Sequence, residues 1–179
     1  MIFISGVHGS GKSYFCEKVK DSCGYPSYSA STLIAERKEA GFSSDKLIPD
    51  IDDNQQYLLT AIRVLNDNNV SFLLDGHFCL LDANGVVTRI ARSTFEILKP
   101  EALVLVTENP DIIASRRYER DGIRHDVEDI RHFQNEETLY AEELSAHLGI
   151  PLWLQHGSDN FTGALEFVMA HIRRTPDGR

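Results

Sequence analysis

Long apolar runs are missing from this 179-residue sequence, the longest being only a few residues. That excludes a helix of about 20 apolar residues spanning a bilayer. The first residues also lack a basic segment followed by a long apolar stretch, the pattern of a secretory leader. A soluble, cytoplasmic protein without membrane partners is expected. Cysteine is scarce: Cys16, Cys23 and Cys79 are odd in number and form no C-x-x-C pair, which argues against a disulfide framework and a zinc site. Positive charge is also in short supply, with 18 Lys and Arg against 27 Asp and Glu and a net charge of −9. Broad binding to a nucleic-acid backbone needs a basic face, so a nucleic-acid partner is not expected. Internal repeats, linkers and low-complexity segments are absent too, leaving one domain over residues 1–179.

What is present starts at the N-terminus. Apolar Met1-Ile2-Phe3-Ile4 runs through Ser5 into Gly6-Val7-His8-Gly9-Ser10-Gly11-Lys12-Ser13, which fits G-x-x-x-x-G-K-[ST], a P-loop. The spacing has a mechanical reason. Small residues let the backbone curl into a nest whose N–H groups cradle phosphate oxygens, and the helix that follows adds partial positive charge. Gly6, His8, Gly9, Ser10, Gly11, Lys12, Ser13 and Tyr14 are the expected nucleotide-binding residues, Lys12 reaching the β- and γ-phosphates and Ser13 holding Mg²⁺.

Helical spacing predicts helices over 12–22, 32–38, 52–67, 127–147 and 161–172, with a shorter one before Pro100 and another from Asp111 behind Asn109-Pro110. Residues 41–50, polar and carrying Pro49, read as a loop, and 175–179 as a frayed tail. Strands are expected at 27–30, 70–74, 102–106 and 151–154 beside the opening one, with a small hairpin turning at Asn84-Gly85. Strands separated by helices give a parallel sheet covered on both faces, an α/β fold.

Asp75 ends an apolar strand at the carboxyl edge of the sheet, where ligands bind in such folds and where an acid can hold the Mg²⁺ shell. His77 follows two residues on and could touch acceptor or metal-bound water. Arg116, Arg117, Arg120, Arg124 and Arg131 put five of the twelve arginines within sixteen residues of an acidic protein. Guanidinium groups bind phosphate bidentately, and a mobile arginine lid can neutralise a transferring phosphoryl group. Arg117, Arg120 and Arg124, with Lys12 and Asp75, are the expected catalytic residues. The edge from Ser29 to Arg37 holds hydroxyls but no acid before Glu36, which suits an acceptor that needs no deprotonation. Thr32, Arg37, His77 and Arg92, with Arg63 and Arg89 as further candidates, are the expected acceptor contacts.

The P-loop, Ser29-Ala30-Ser31-Thr32-Leu33-Ile34, Leu73-Leu74-Asp75-Gly76-His77, and Arg116-Arg117 with Arg120 and Arg124 together resemble the nucleoside monophosphate kinases. The likeness is to archaeal-type adenylate kinases and to the nuclear adenylate kinase-like ATPases of ribosome assembly, whose strand ends in Asp-x-His. It implies a P-loop three-layer α/β/α fold with a five-stranded parallel sheet in order 2-3-1-4-5. It also implies an acceptor-binding region over 29–65 and 76–92, a short lid over 117–126, and transfer from ATP, with Mg²⁺ on Ser13 and Asp75, to AMP or a similar small nucleotide. Many adenylate kinases carry an arginine late in the segment matching Ser29 to Ala35, where this chain has Ala35 and then Arg37. Two other readings stay open: a nucleotide-dependent ATPase switch acting on a macromolecular partner, and a kinase for a small-molecule or polynucleotide hydroxyl with Asp75 or His77 as base.

Overall fold

Alternation along β1 (Ile2–Ser5) sets up the two faces of the central sheet: Ile2 and Ile4 join one apolar cluster, Phe3 the opposite one, and Ser5 shares the side of Phe3. The computed structural model describes residues 1–39, 51–67, 71–82 and 84–172, with side chains of the second segment from Asn54 onward. The loop expected over 41–50 and the tail expected over 175–179 lie outside these residues.

β1 runs parallel between β3 (Leu73–Asp75) and β6 (Ala102–Thr107), with Ile4 opposite both Asp75 and Val104. β2 (Ser27–Ser29) extends the sheet beyond β3, and β7 (Leu152–His156) extends it beyond β6. The resulting order, β2-β3-β1-β6-β7, is 2-3-1-4-5 once the separate antiparallel hairpin of β4 (Cys79–Leu81) and β5 (Val87–Arg89) is set aside. The expected fold class is the one observed.

Helices cover both faces. α1 (Lys12–Cys23) and α7 (Phe161–His171) bury Phe15, Cys16, Val19, Ala164 and Val168 against Ile2, Ile4, Val104 and Val106. On the other face α3 (Ile51–Asp67), α4 (Arg92–Leu98) and α6 (Val127–Leu148) bring Leu58, Ile62, Phe95, Leu98, Phe133 and Tyr140 onto Phe3, Leu74, Leu103 and Leu105. α2 (Ala30–Glu39) packs on α3, and α5 (Pro110–Asp121) on α6. α5 starts where expected, Asn109 accepting the Asp111 N–H at 2.9 Å ahead of Pro110. Cys16 and Cys79 are buried packing residues, and all three cysteines are free thiols.

Three elements move at one end by two residues or more. β3 begins at Leu73 and includes Asp75, whose register partners Ile4 and Ser29 continue the ladder to that residue. β7 starts after Pro151, which has no N–H to donate, and runs on to His156 because Thr107 remains opposite to pair with it. α2 starts at Ala30, directly after β2.

Candidate functional site

The glycines of the P-loop adopt positive-φ conformations that other residues rarely take. Gly6 has φ +147°, and a Cβ there would sit 2.2 Å from the Val106 carbonyl oxygen on the neighbouring strand. The turn leads into α1, whose N-terminus has Gly11 at the cap with no side-chain cap bond and no acidic residue in its first turn. Its leading N–H groups are therefore left for an anion. The Ser10 hydroxyl is buried and has no hydrogen-bond partner among the described residues.

Lys12 is 8% exposed and donates from Nζ to the Gly6 carbonyl at 2.7 Å. The same nitrogen lies 3.7 Å from Asp75 Oδ1 and 3.5 Å from His77 Nε2. Burial pushes the Lys12 ammonium below and the Asp75 carboxyl above their ordinary ranges, and each charge opposes the other's shift. The P-loop lysine and the strand-end acid thus meet. Gly76 between Asp75 and His77 has a packing reason, since a Cβ there would come within 2.7 Å of the Phe3 ring. His77 lies against His8 with ring centroids 4.5 Å apart and planes tilted by 54°, and burial with the neighbouring Lys12 pushes its pKa down to about 2, so it is a neutral imidazole. His8 is also lowered, by burial and then by Lys12.

The arginine segment divides. Arg116 bridges the Gly9 carbonyl and Glu108 at 3.1 Å each, and Arg117 donates from Nε to the His8 carbonyl at 2.8 Å, so two guanidinium groups brace the P-loop through its carbonyls. Arg116 and Arg120 line the cavity in front of the loop. Arg124 lies beyond the α5 terminus, over the Tyr118 ring, and is not on the cavity wall; Arg131 pairs with Glu128 on α6. The segment expected as a lid is the last turns of α5 and the residues up to Asp126, which caps α6.

The cavity, about 1150 Å³, extends from the P-loop across the carboxyl edge of the sheet. Ser13, Tyr14, Gly157, Ser158 and Phe161 border its donor end. Ile34, Leu58, Leu80, Ile90, Phe95 and Leu98 make the far wall apolar, with Ser29, Ser31, Asn54, Gln55 and Thr94 as its polar points. The expected acceptor contacts divide at this wall. His77 lines the cavity, whereas Thr32, Arg37 and Arg92 do not, nor do Arg63 and Arg89. Arg92 and Arg89 are instead held by Glu143, at 3.0 Å each, and Arg89 also by Glu136. The hairpin and the start of α4 turn them toward the acidic face of α6. Among the described residues, Lys38 is the one basic side chain on the far wall.

Ser13 and Asp75 offer hydroxyl and carboxylate oxygens, hard donors that fit a small divalent cation sharing its shell with phosphate and water. Asp75 stands at the cavity beside Lys12, where a metal-bound triphosphate would lie.

Glu137 was not singled out from the sequence. It is fully buried on α6 and accepts from Ser5 Oγ at 2.6 Å, Cys79 N at 2.9 Å and Phe78 N at 3.1 Å. A signal existed: Ile130, Phe133, Tyr140 and Leu144 share a helical stripe, and an acid stands among them at 137. Glu108, which anchors Arg116 and is itself tied to Gln134 through its backbone, was likewise missed. It lacks any comparable periodic signal.

Adenylate kinase isoenzyme 1 of Bos taurus is 28% identical over 148 residues, covering 78% of this chain and 71% of that protein. Among solved structures, a gluconokinase from Sinorhizobium meliloti superposes with TM-score 0.52 at 18% identity, covering 95% of this chain and 89% of the other. A deoxyadenosine kinase from M. mycoides gives 0.53 at 15%, with 94% and 96% covered. These structures share the fold. The model of the AAA domain family matches residues 5–134, from the last residue of β1 through the P-loop, Asp75 and the arginine segment into α6. The chain belongs to that family and is a nucleoside monophosphate kinase-like P-loop NTPase.

Proposed function

We propose that this protein transfers the γ-phosphoryl group of ATP, with Mg²⁺, to a nucleoside monophosphate, as an adenylate kinase-like enzyme of the cytoplasm. The observation that carries the reading is the placement of Lys12, beside Asp75 and under an uncapped helix N-terminus, at one end of a cavity of about 1150 Å³. That volume exceeds what a single drug-sized ligand needs, about 300–1,000 Å³. The adenylate kinase relatives support a nucleotide as acceptor.

In this reading the backbone of residues 8–13 and Lys12 hold the donor phosphates, and Ser13 and Asp75 would hold Mg²⁺. The metal, when bound, neutralises charge between the β- and γ-phosphates. Arg120, exposed on the cavity rim and paired there with Asp121, would have to leave that carboxylate to meet a transferring phosphoryl group. Arg116 and Arg117 keep the loop in shape through its carbonyls. Catalysis is then positioning and electrostatics, without a covalent enzyme intermediate.

A second reading has its own observation. The far wall carries one lysine among the described residues, while the four candidate arginines lie off it. A monophosphate dianion is ordinarily met by guanidinium groups, whereas a neutral hydroxyl acceptor needs a base, and Asp75 is the carboxylate at hand. Incubation of the protein with ATP, Mg²⁺ and panels of nucleoside monophosphates, nucleosides and sugars, with product identification, separates the two. A nucleoside diphosphate formed in equal amount to ADP supports the first reading, and a phosphorylated hydroxyl supports the second. Acceptor-independent ADP and phosphate would overturn both in favour of an ATPase switch acting on a macromolecular partner.

A further inference from the structure

Glu137 lies in an apolar layer where a carboxylate costs free energy unless every lone pair is used. Its three short hydrogen bonds do join two strategic points. Ser5 is the residue before Gly6 of the P-loop, and Phe78 and Cys79 immediately follow His77. Ser5 Oγ accepts from Phe78 N at 2.9 Å as well, which closes a small ring of bonds between the two loops. A neutral amide could satisfy most of these donors, so pinning by itself does not account for an acid at this position.

The remaining neighbour of the carboxylate does. Oε1 stands 3.9 Å from His77 Nδ1, a buried nitrogen that has no hydrogen-bond partner among the described residues. The opposite nitrogen of the same ring, Nε2, faces Lys12 Nζ at 3.5 Å. The Gly6 carbonyl, which takes a hydrogen bond from Lys12 at 2.7 Å, is the other acceptor close to the imidazole, and its second lone pair competes with Glu137 for the ring proton. An imidazole between a carboxylate and an ammonium is oriented by both: the proton lies on the side of the carboxylate and the lone pair on the side of the cation.

We propose that Glu137 is a positioning residue of the phosphate site, acting through His77. Its carboxylate fixes the proton on Nδ1 so that Nε2 presents a lone pair to Lys12. The P-loop lysine is thereby held by three acceptors, the Gly6 carbonyl, Asp75 and His77, before a nucleotide arrives. When phosphate draws Lys12 forward, Nε2 is left as a neutral acceptor at the cavity wall. The arrangement itself concerns the nucleotide-free protein, and only its kinetic consequence rests on the phosphoryl-transfer reading.

The direct test is the tautomer of His77, read from the imidazole ¹⁵N shifts of the full-length protein without nucleotide and assigned by loss of the signals in His77→Ala. Protonation at Nδ1 is expected in the wild type, with a shift toward the Nε2-protonated form in Glu137→Gln. Protonation at Nε2 in the wild type overturns the proposal, and this measurement needs no activity and no folded variant of Glu137. The kinetic arm compares ATP turnover in Glu137→Gln, His77→Ala and the double variant. Glu137→Gln is expected to lower kcat about 10- to 100-fold, as loss of an outer-shell partner commonly does, with KM for ATP changed less than about twofold. It should add nothing in the His77→Ala background, and multiplied losses in the double variant overturn action through His77. If the wild type turns over no acceptor and no ATP, the proposed function fails while the tautomer result still decides this one.

Discussion

The two ends of the cavity are built in opposite ways. At the donor end, eight consecutive residues supply the backbone donors, the cation and the hydroxyl, and the next helix opens its N-terminus onto the same point. At the far end the wall is gathered from β2, α2, α3, the hairpin and α4, and it is mostly apolar. The donor end recognises a group that all nucleoside triphosphates share, so a local backbone motif suffices. In the proposed function the far end takes the acceptor, and which acceptor fits depends on the side chains that the tertiary structure turns inward.

The contrast can be broken most severely at Lys12. Lys12→Ala should lower ATP-dependent transfer by about 10²- to 10³-fold or more, the scale of losing one preorganised electrostatic group, while the circular dichroism melt stays cooperative. Full activity in that variant would remove the donor-site assignment. Gly6→Ala tests whether the nest is a matter of backbone shape. The φ of +147° and the 2.2 Å approach to the Val106 carbonyl oxygen leave no room for a Cβ. The strained conformation alone should cost about 1–3 kcal/mol, with loss of nucleotide binding by calorimetry. Wild-type affinity in a folded Gly6→Ala protein would show that the loop is less constrained than its geometry indicates.

A third prediction concerns pH. In the unfolded chain His77 binds a proton near its ordinary pKa of 6.5, but in the folded protein it stays neutral down to about 2. The unfolded state therefore takes up more protons below 6.5, and stability falls as pH is lowered through that value, by up to about 1.4 kcal/mol per pH unit for this one group. His8 shifts in the same direction and adds to the slope. Denaturant midpoints measured between pH 7.5 and 5 should fall in the wild type and fall less steeply in His77→Gln. An equal slope in both would place the proton uptake elsewhere.

The smallest effect is expected at the acceptor arginines. Arg92→Ala breaks an exposed pair with Glu143, a contact of a kind worth about 0–1 kcal/mol, and removes nothing from the cavity wall. KM for any acceptor should change less than about twofold, and the same holds for Arg37→Ala. A tenfold rise in KM for a monophosphate would show that these side chains swing inward when the acceptor binds. It would make the two ends of the cavity more alike than they stand here.

The residues that the sequence made legible are those whose role depends on near neighbours in the chain. The P-loop, Asp75-Gly76-His77 at the end of a strand, and Asn109-Pro110 at the start of a helix all carry their geometry in short patterns. The meeting of Lys12 with Asp75 also follows, because parallel strands β1 and β3 bring their carboxyl ends to one edge. Where the acceptor arginines point is not legible in this way, because charge along a sequence has no direction. Arg89 and Arg92 fall in the stretch expected to bind the acceptor, yet the hairpin and α4 turn them to Glu143.

By itself, then, the sequence determined the parallel α/β sheet, through buried strands alternating with amphipathic helices, and the donor half of the site, through glycines that permit one backbone shape. Only the tertiary structure decided which arginines brace the P-loop, which are spent on α6, and that an acid 132 residues away from Ser5 ties the two phosphate-site loops together. The physical reason is the range of the interactions involved. Backbone conformation and helix periodicity are set within a few residues, whereas a buried carboxylate finds its donors only when α6 packs against β1 and the loop behind His77.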